Sequence, residues 1–285
     1  MSTVESYNAE LRCKRYHGRV KKIFSHIKQF GKTAGDDRFA YRNYQKQIGE
    51  YYLKHIVTPY VKGGSILEIG CAEGGVLAVF FENGFSCTGL ELSRHRIEYA
   101  QKHSPAGIRF ISGDVETFNE PYVYDVVLML DVIEHLDNKI GVLNRLRAFL
   151  KTEGILIISF PPIKSAFGGH QQVMSSFLQY IPFIHLLPQR VYRWLLEHIE
   201  KKNVESHFRN YLTGLTIQDF EKLVDHADLK IRQKIFYFVR PRQAFRFGIK
   251  IRLNRIPIFK EYLNSGAIYV LTRRSPERQV GENGV

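Results

Sequence analysis

The stretch Ser65-Ile66-Leu67-Glu68-Ile69-Gly70-Cys71-Ala72-Glu73-Gly74-Gly75 constrains the fold more than any other part of the 285-residue chain. Ile66, Leu67 and Ile69 read as a short buried strand. Gly70 permits a sharp turn or a positive φ. Gly74 and Gly75 let a ligand or a neighbouring backbone come close. Val76 to Phe81 then reads as a helix packed back on a sheet. A buried strand, a tight glycine turn and a helix form the unit with which an open α/β sheet builds a ligand site at the carboxyl end of its first strand.

Spacing narrows the ligand. A dinucleotide fingerprint has the form G-x-G-x-x-G, with a pyrophosphate on the helix N-terminus. Here Ala72 stands where the second glycine belongs, and the carboxylate of Glu68 lies two residues before Gly70. An acid beside the turn disfavours a pyrophosphate and suits a ligand with positive charge. The alternative is that Glu68 caps or pairs in an ordinary βα turn.

The same alternation continues along the chain. Strands are expected at 65–69, 86–91, 108–112, 124–130 and 154–160, with helices over 94–103 and 136–150 between them. Ser104-Pro105 stops the first of these helices. Near-continuous Val/Ile/Leu runs separated by helices imply a parallel sheet covered on both faces. Strands at 231–239 and 267–272 are expected to pair as an antiparallel edge. Thr216 is the expected N-cap of a helix ending at His226, with Asp219 in the capping-box position. Ahead of the sheet, helices are expected over 19–30 and 38–57. The second carries Tyr41, Tyr44, Ile48, Tyr51, Tyr52 and Ile56 at helical spacing, a stripe that either packs on the core or closes over a ligand.

Leu67 to Gly75 resembles motif I of the class I S-adenosylmethionine (SAM)-dependent methyltransferases, and three further motifs follow in order. Glu91, in Leu90-Glu91-Leu92-Ser93, closes strand two. Asp114, in Ser112-Gly113-Asp114-Val115-Glu116, follows strand three. Asp125 to Leu136 resembles the strand-four segment of the subgroup typified by ubiquinone-biosynthesis O-methyltransferases. The resemblance covers residues 50–160 well, and 207–240 with the last strand more loosely. It implies a Rossmann-like, seven-stranded, mostly parallel α/β sheet with helices on both faces, an antiparallel last strand, N-terminal helices and lid insertions.

It also implies SAM as cofactor, held by Glu68, Gly70, Cys71, Ala72 and Gly74 of the first turn. Glu91 would accept the ribose hydroxyls with Leu92 beside it. Asp114 would accept from the adenine amino group while Val115 lines the ring. Leu130 and Asp131 would lie against the methionine part. The alternative for Glu91 is capping of the next helix, where Ser93 already serves, and for Asp114 a solvated turn acid.

SAM is an activated methyl donor, so the protein mainly has to align the acceptor with it. A hydroxyl acceptor of high pKa also needs a general base. His135 and His170 are the candidate catalytic residues, with His207 a third. His170 follows Gly168-Gly169, which suggests a mobile lid; His135 has a structural alternative, holding the next helix. Asp131, Glu134 and His135 together have metal-ligand character, but turns of this kind usually hold no metal, and none is expected.

Charge divides the chain. Residues 1–60 carry +7, residues 61–160 carry −4 and residues 161–285 carry +10, which makes the total +13. The basic additions suit an anionic substrate, a membrane surface or nucleic acid. Nucleic acid is the less expected partner, because no Asn-Pro-Pro-Tyr-type segment follows strand four and no RNA-binding module is appended. Cys13, Cys71 and Cys87 make no disulfide framework. With no signal peptide and no spanning apolar run, the expected location is the cytoplasm, with peripheral membrane contact open.

The expected organisation is an N-terminal helical cap (1–60), a SAM-binding core (61–160), an apolar lid insertion (161–206), a C-terminal part of the core (207–274) with a basic insertion (240–266), and a disordered tail (275–285). The two insertions point to a small-molecule acceptor of amphiphilic, glycan- or lipid-related type, methylated at oxygen. The alternatives are an RNA or protein methyltransferase and a catalytically silent SAM-binding protein. A nicotinamide-dependent dehydrogenase is disfavoured by Ala72.

Overall fold

The protein is described by a computed structural model over residues 37–119, 121–238, 240 and 260–274. The expected helix at 19–30, most of the basic insertion and the tail from 275 lie outside these residues.

In chain order the elements are α1 (Arg38–Tyr52), which runs on into a wider π turn (Leu53–Val57), β1 (Gly64–Ile69), α2 (Gly75–Glu82), β2 (Phe85–Glu91), α3 (Arg94–His103), β3 (Arg109–Ser112) and β4 (Tyr124–Leu130). A 3₁₀ turn (Ile133–His135) leads to α4 (Lys139–Ala148) and β5 (Leu150–Phe160). Three short 3₁₀ turns precede α5 (Gln189–Leu195), which continues as a π turn (Leu196–Glu200). Then come α6 (Val204–Thr213), α7 (Ile217–His226), β6 (Leu229–Tyr237), the short α8 (Lys260–Leu263) and β7 (Gly266–Arg273).

The seven strands form one sheet in the order β3-β2-β1-β4-β5-β7-β6. β1 to β5 run parallel, and β7 lies antiparallel to both β5 and β6. β6, not the last strand, therefore forms the edge. The order reverses between β1 and β4, and at such a switch point the carboxyl ends of two neighbouring strands open a crevice. One face of the sheet packs on α4 and α7 around Leu146, Phe160, Phe220 and Tyr269. The other packs on α1 and α2 around Ile56, Leu77, Phe80 and Val126. A smaller separate core, centred on Tyr192, Leu196 and Phe208, sits under residues 174–208.

Local chemistry explains where the elements depart from expectation. The helix expected over 136–150 is shorter at both ends. The Asn138 side chain caps α4 by accepting from Gly141 N at 3.0 Å, and Leu150 already pairs with Tyr124 in the sheet. α6 was not anticipated, although Val204, Phe208 and Tyr211 mark one helical face, and all three pack into the small core. Thr216 caps α7 by accepting from Asp219 N at 3.0 Å. Asp219 returns to the Thr216 hydroxyl, and the next free amides, Ile217 N and Gln218 N, donate to the Glu261 carboxylate of α8. A negative charge at a helix N-terminus is favourable.

Candidate active site

The glycine turn after β1 is anchored before any ligand is considered. Gly70 N and Cys71 N donate to Leu90 O of β2, and Gly70 has φ +75° with the Val132 side chain where a Cβ would stand. Ala72 takes φ +48°, a conformation rare outside glycine. Gly74 and Gly75 make way for protein. A Cβ on Gly74 would meet the Phe110 ring at 2.7 Å, and one on Gly75 would meet Arg42 O at 2.4 Å. α1 is thus pressed onto the turn, and Gln45 clamps it by donating to Cys71 O and accepting from Gly75 N.

A cleft of about 640 Å³, open to solvent, lies over the switch point. Its floor holds Glu68, Gly70, Leu130 and Asp131, and Tyr41, Tyr44, Ile48 and Tyr52 of α1 close one side. The aromatic stripe of α1 therefore both packs on the core and lines a cavity.

Glu68 is 2% exposed, and its Oε2 finds no hydrogen-bond partner among the described residues. Burial, aided by the charge of Glu91, pushes its carboxyl up to about 8. Asp131 also adopts a left-handed backbone, at φ +55°, but both its oxygens lie 3.1 Å from the Arg240 guanidinium, and Ser159 Oγ donates to Oδ1 at 3.3 Å. Tyr52 is buried beside this group, and burial drives its phenol far above the usual range against the lowering effect of its hydrogen bond with Ser159.

The remaining residues expected to bind cofactor stand in a row beyond the cleft. Glu91 ends β2 next to the turn, its Oε2 accepting from Ala72 N at 3.1 Å and its Oε1 from Ser93 N at 2.9 Å. Ser93 makes no side-chain cap, so the capping expected of Ser93 belongs to Glu91. The carboxylate keeps lone pairs for other donors. Asp114 Oδ1 accepts from Glu116 N at 2.9 Å, and Gly113 N donates to Glu91 O, which fixes this turn against β2. Val115 is buried, whereas Leu92 is 70% exposed. The Cys71 side chain points into the core, where a Cβ on Gly89 would meet its Sγ at 2.6 Å. Only the Cys71 backbone faces the turn. Burial pushes its thiol well above the usual range.

Past Asp131, the 3₁₀ turn brings a second group together. Glu134 Oε1 lies 3.9 Å from both His135 Nε2 and His170 Nε2, and the two imidazole rings are 4.9 Å apart. His135 Nδ1 donates to Asn210 Oδ1 of α6 at 3.1 Å, which leaves Nε2 as the accepting nitrogen. Burial lowers the His135 pKa below 6.5, so the ring is neutral at neutral pH. The ligand atoms of Glu134, His135 and His170 lie within 4.8 Å of one another, a spacing that a divalent metal ion also fits. This set replaces the Asp131–Glu134–His135 set considered from sequence, since Asp131 is taken up by Arg240.

His207 does not join the group. It is buried in α6 near Glu200. The glycines before His170 also serve a purpose other than mobility. A Cβ on Gly168 would meet Pro162 O at 2.3 Å, and one on Gly169 would meet the His185 side chain at 2.5 Å. Both allow tight packing and leave His170 at φ +57°. Arg240 and Gln45 were not singled out from the sequence. Arg240 was one of seven basic residues in 240–266, and nothing local to it marks Asp131 as its partner.

The sheet order and the carboxylates at its strand ends define a Rossmann-like methyltransferase domain. A family model described as a methyltransferase domain matches residues 41–234, about two thirds of the chain, and the chain belongs to that family. Its fold and family are those of SAM-dependent methyltransferases. The ubiquinone biosynthesis O-methyltransferase of Rickettsia typhi is 33% identical over 116 residues, which cover 39% of this chain and 47% of that protein. The chain thus spans about half the length of the curated relatives it matches. A SAM-dependent methyltransferase from Clostridium acetobutylicum superposes with a TM-score of 0.53 at 12% identity, covering 88% of this chain and 99% of that one. The PH0226 protein of Pyrococcus horikoshii does so with a TM-score of 0.53 at 15% identity, covering 83% and 92%. At these identities the structures speak for the fold.

Proposed function

We propose that the chain is a SAM-dependent enzyme that methylates an oxygen of a small-molecule acceptor of amphiphilic, glycan- or lipid-related type. The observation that carries the cofactor assignment is Glu68, a buried carboxylate near the end of β1 with an oxygen that has no partner among the described residues. An uncompensated buried acid costs stability unless a cation meets it. A ligand bearing an ammonium and a sulfonium answers that need, and the acids Glu68, Glu91 and Asp114 carry the matching sign, Asp131 being met by Arg240.

In this reading Glu68 and the turn at Gly70, Cys71, Ala72 and Gly74 receive the amino-acid end. Glu91 accepts the ribose hydroxyls. Asp114 accepts from the adenine amino group, with Leu92 and Val115 flanking the ring. Leu130 and Asp131 border the methionine part. SAM, when bound, supplies a methyl already activated for transfer. The protein's remaining task is to position the acceptor and take its proton. His135 Nε2, neutral and oriented by Asn210, receives the hydroxyl proton, while Glu134 and His170 stabilise the imidazolium that forms. The segment 161–206 roofs the acceptor end.

Calorimetric titration with SAM, with NAD as a control, tests the first half. SAM binding that Glu91→Ala weakens by about 2 kcal/mol is expected from lost charge-assisted hydrogen bonds. No SAM binding by the folded wild type would overturn the reading. For the second half, His135→Gln is expected to lower kcat by roughly a hundredfold or more while the SAM affinity stays at the wild-type value.

A further inference from the structure

Eighteen large apolar side chains are exposed among the described residues, and ten of them fall between Phe167 and Trp194. They include Val173, Phe177, Tyr180, Leu186, Val191 and Trp194. Scattered exposed apolar residues are ordinary, but a concentration of this kind marks an interaction surface. We propose that this segment docks the protein onto the surface of an anionic lipid bilayer.

The backbone beneath the patch is ordered. The short turns at Gln171–Val173, Phe177–Tyr180 and Ile184–Leu186 are pinned by the core of Met174, Leu178, Ile184, Tyr192, Leu196 and Phe208. Glu200 adds a clamp, accepting from Ser175 N at 2.7 Å and Ser176 N at 2.8 Å. The segment thus has its own apolar interior, and the exposed set is additional to it. Phe183 is held at φ +62° with its side chain still 39% exposed. A bulky residue in the left-handed region carries strain, and here its burial is only partial.

Charge selects the bilayer over a second copy of the chain. From Lys164 through Leu196 there is no Asp or Glu, while Lys164, Arg190 and Arg193 are basic. Arg193 is met by Glu197 and Glu205, but Arg190 stands exposed at the start of α5. A two-fold dimer through this face would set like charges against each other, because an isologous interface pairs the same patch with itself. Anionic headgroups supply the missing sign, aromatic side chains suit the headgroup boundary, and the chain's +13 charge adds long-range attraction. No described helix is long and apolar enough to cross a membrane, so the contact is peripheral. His170, whose Nε2 lies 3.9 Å from Glu134 Oε1, begins this segment. Given the acceptor reading above, an apolar acceptor would pass from the bilayer into the site along the same face.

Trp194 is the only tryptophan of the chain, which makes the surface its own reporter. The full chain is mixed with vesicles of phosphatidylcholine alone or of phosphatidylcholine with phosphatidylglycerol. Cosedimentation, a blue shift of Trp194 emission and quenching by brominated lipid are expected with the anionic vesicles. The triple variant Val173→Ser, Phe177→Ser, Tyr180→Ser keeps the reporter and is expected to bind at least roughly tenfold more weakly. Its circular dichroism melt and SAM affinity should match the wild type, so a failure of docking is separable from a failure of the cofactor reading. Equal binding to neutral vesicles, or wild-type binding by the triple variant, would overturn the proposal. So would a Trp194 emission already blue-shifted without lipid that reddens on dilution, since a second copy would then occupy the face.

Discussion

Glu68 in β1 and Asp131 just after β4 stand at the carboxyl ends of neighbouring central strands, and both carboxylates are largely removed from water, yet they are held in opposite ways. Asp131 has an internal cation: the Arg240 guanidinium reaches both its oxygens and Ser159 adds a donor. Glu68 has burial without compensation, and its carboxyl is pushed up to about 8 as a result. One site is complete within the protein, while in the proposed reading the other is completed by a cationic ligand. The strand-β1 side is therefore a receptor, and the strand-β4 side is a fixed wall whose geometry does not depend on that ligand.

The largest test of this contrast is in pH. Glu68 binds its proton more tightly in the folded state than at its ordinary value of 4.5. Its penalty is absent below 4.5, grows as pH rises and is complete above about 8. The stability of the wild type relative to Glu68→Gln should therefore fall across that window, by up to roughly 5 kcal/mol. The difference between the two proteins isolates Glu68 from His135, His185 and His207, whose lowered pKa values act in the opposite direction below 6.5. SAM should restore the loss in the wild type, so its stabilising effect in thermal melts grows with pH. Equal pH profiles for the two proteins would break the comparison.

On the other side, Arg240→Ala should lower stability in urea denaturation by about 1–2 kcal/mol, because the half-buried Asp131 loses its cation and keeps the Ser159 donor. Arg240→Lys should recover much of this, since one nitrogen, Nη1, makes both contacts and an ammonium can take its place. A neutral result for Arg240→Ala would mean that water reaches Asp131 and that the wall is not closed. The smallest expected effect lies further along the edge. Leu92→Ser should leave stability within about 0.5 kcal/mol and weaken SAM binding by about 1 kcal/mol, the worth of a partly covered apolar side chain.

The half of the site that was legible in the sequence is the half built by local backbone. Asp114 is held by Glu116 and Glu91 by Ser93, each two residues on, the turn at Gly70 and Glu91 meet across about one βα unit, and β4 lies where its Val/Leu run placed it. What stayed hidden depends on distant pairing. Arg240 and Asp131 are 109 residues apart, and His135 meets Asn210 across 75. His170 was named as a candidate, but its position beside Glu134 depends on the packing of Gly168 against Pro162 and of Gly169 against His185. Those glycines looked like hinges because a sequence shows the freedom of a residue and not the neighbour that uses it up.

The position of β7 has a consequence for how the chain is made. β7 pairs with β5 on one side and β6 on the other, although both of those strands precede it in the chain. A ribosome that has released residues up to Tyr237 has produced six strands but not the one that joins the fifth to the sixth. Until Gly266–Arg273 emerges, Ile155 to Phe160 present an unpaired apolar edge of the kind that recruits other chains. Completion of the sheet thus waits until β7 has emerged, and truncation before β7 should yield aggregated polypeptide.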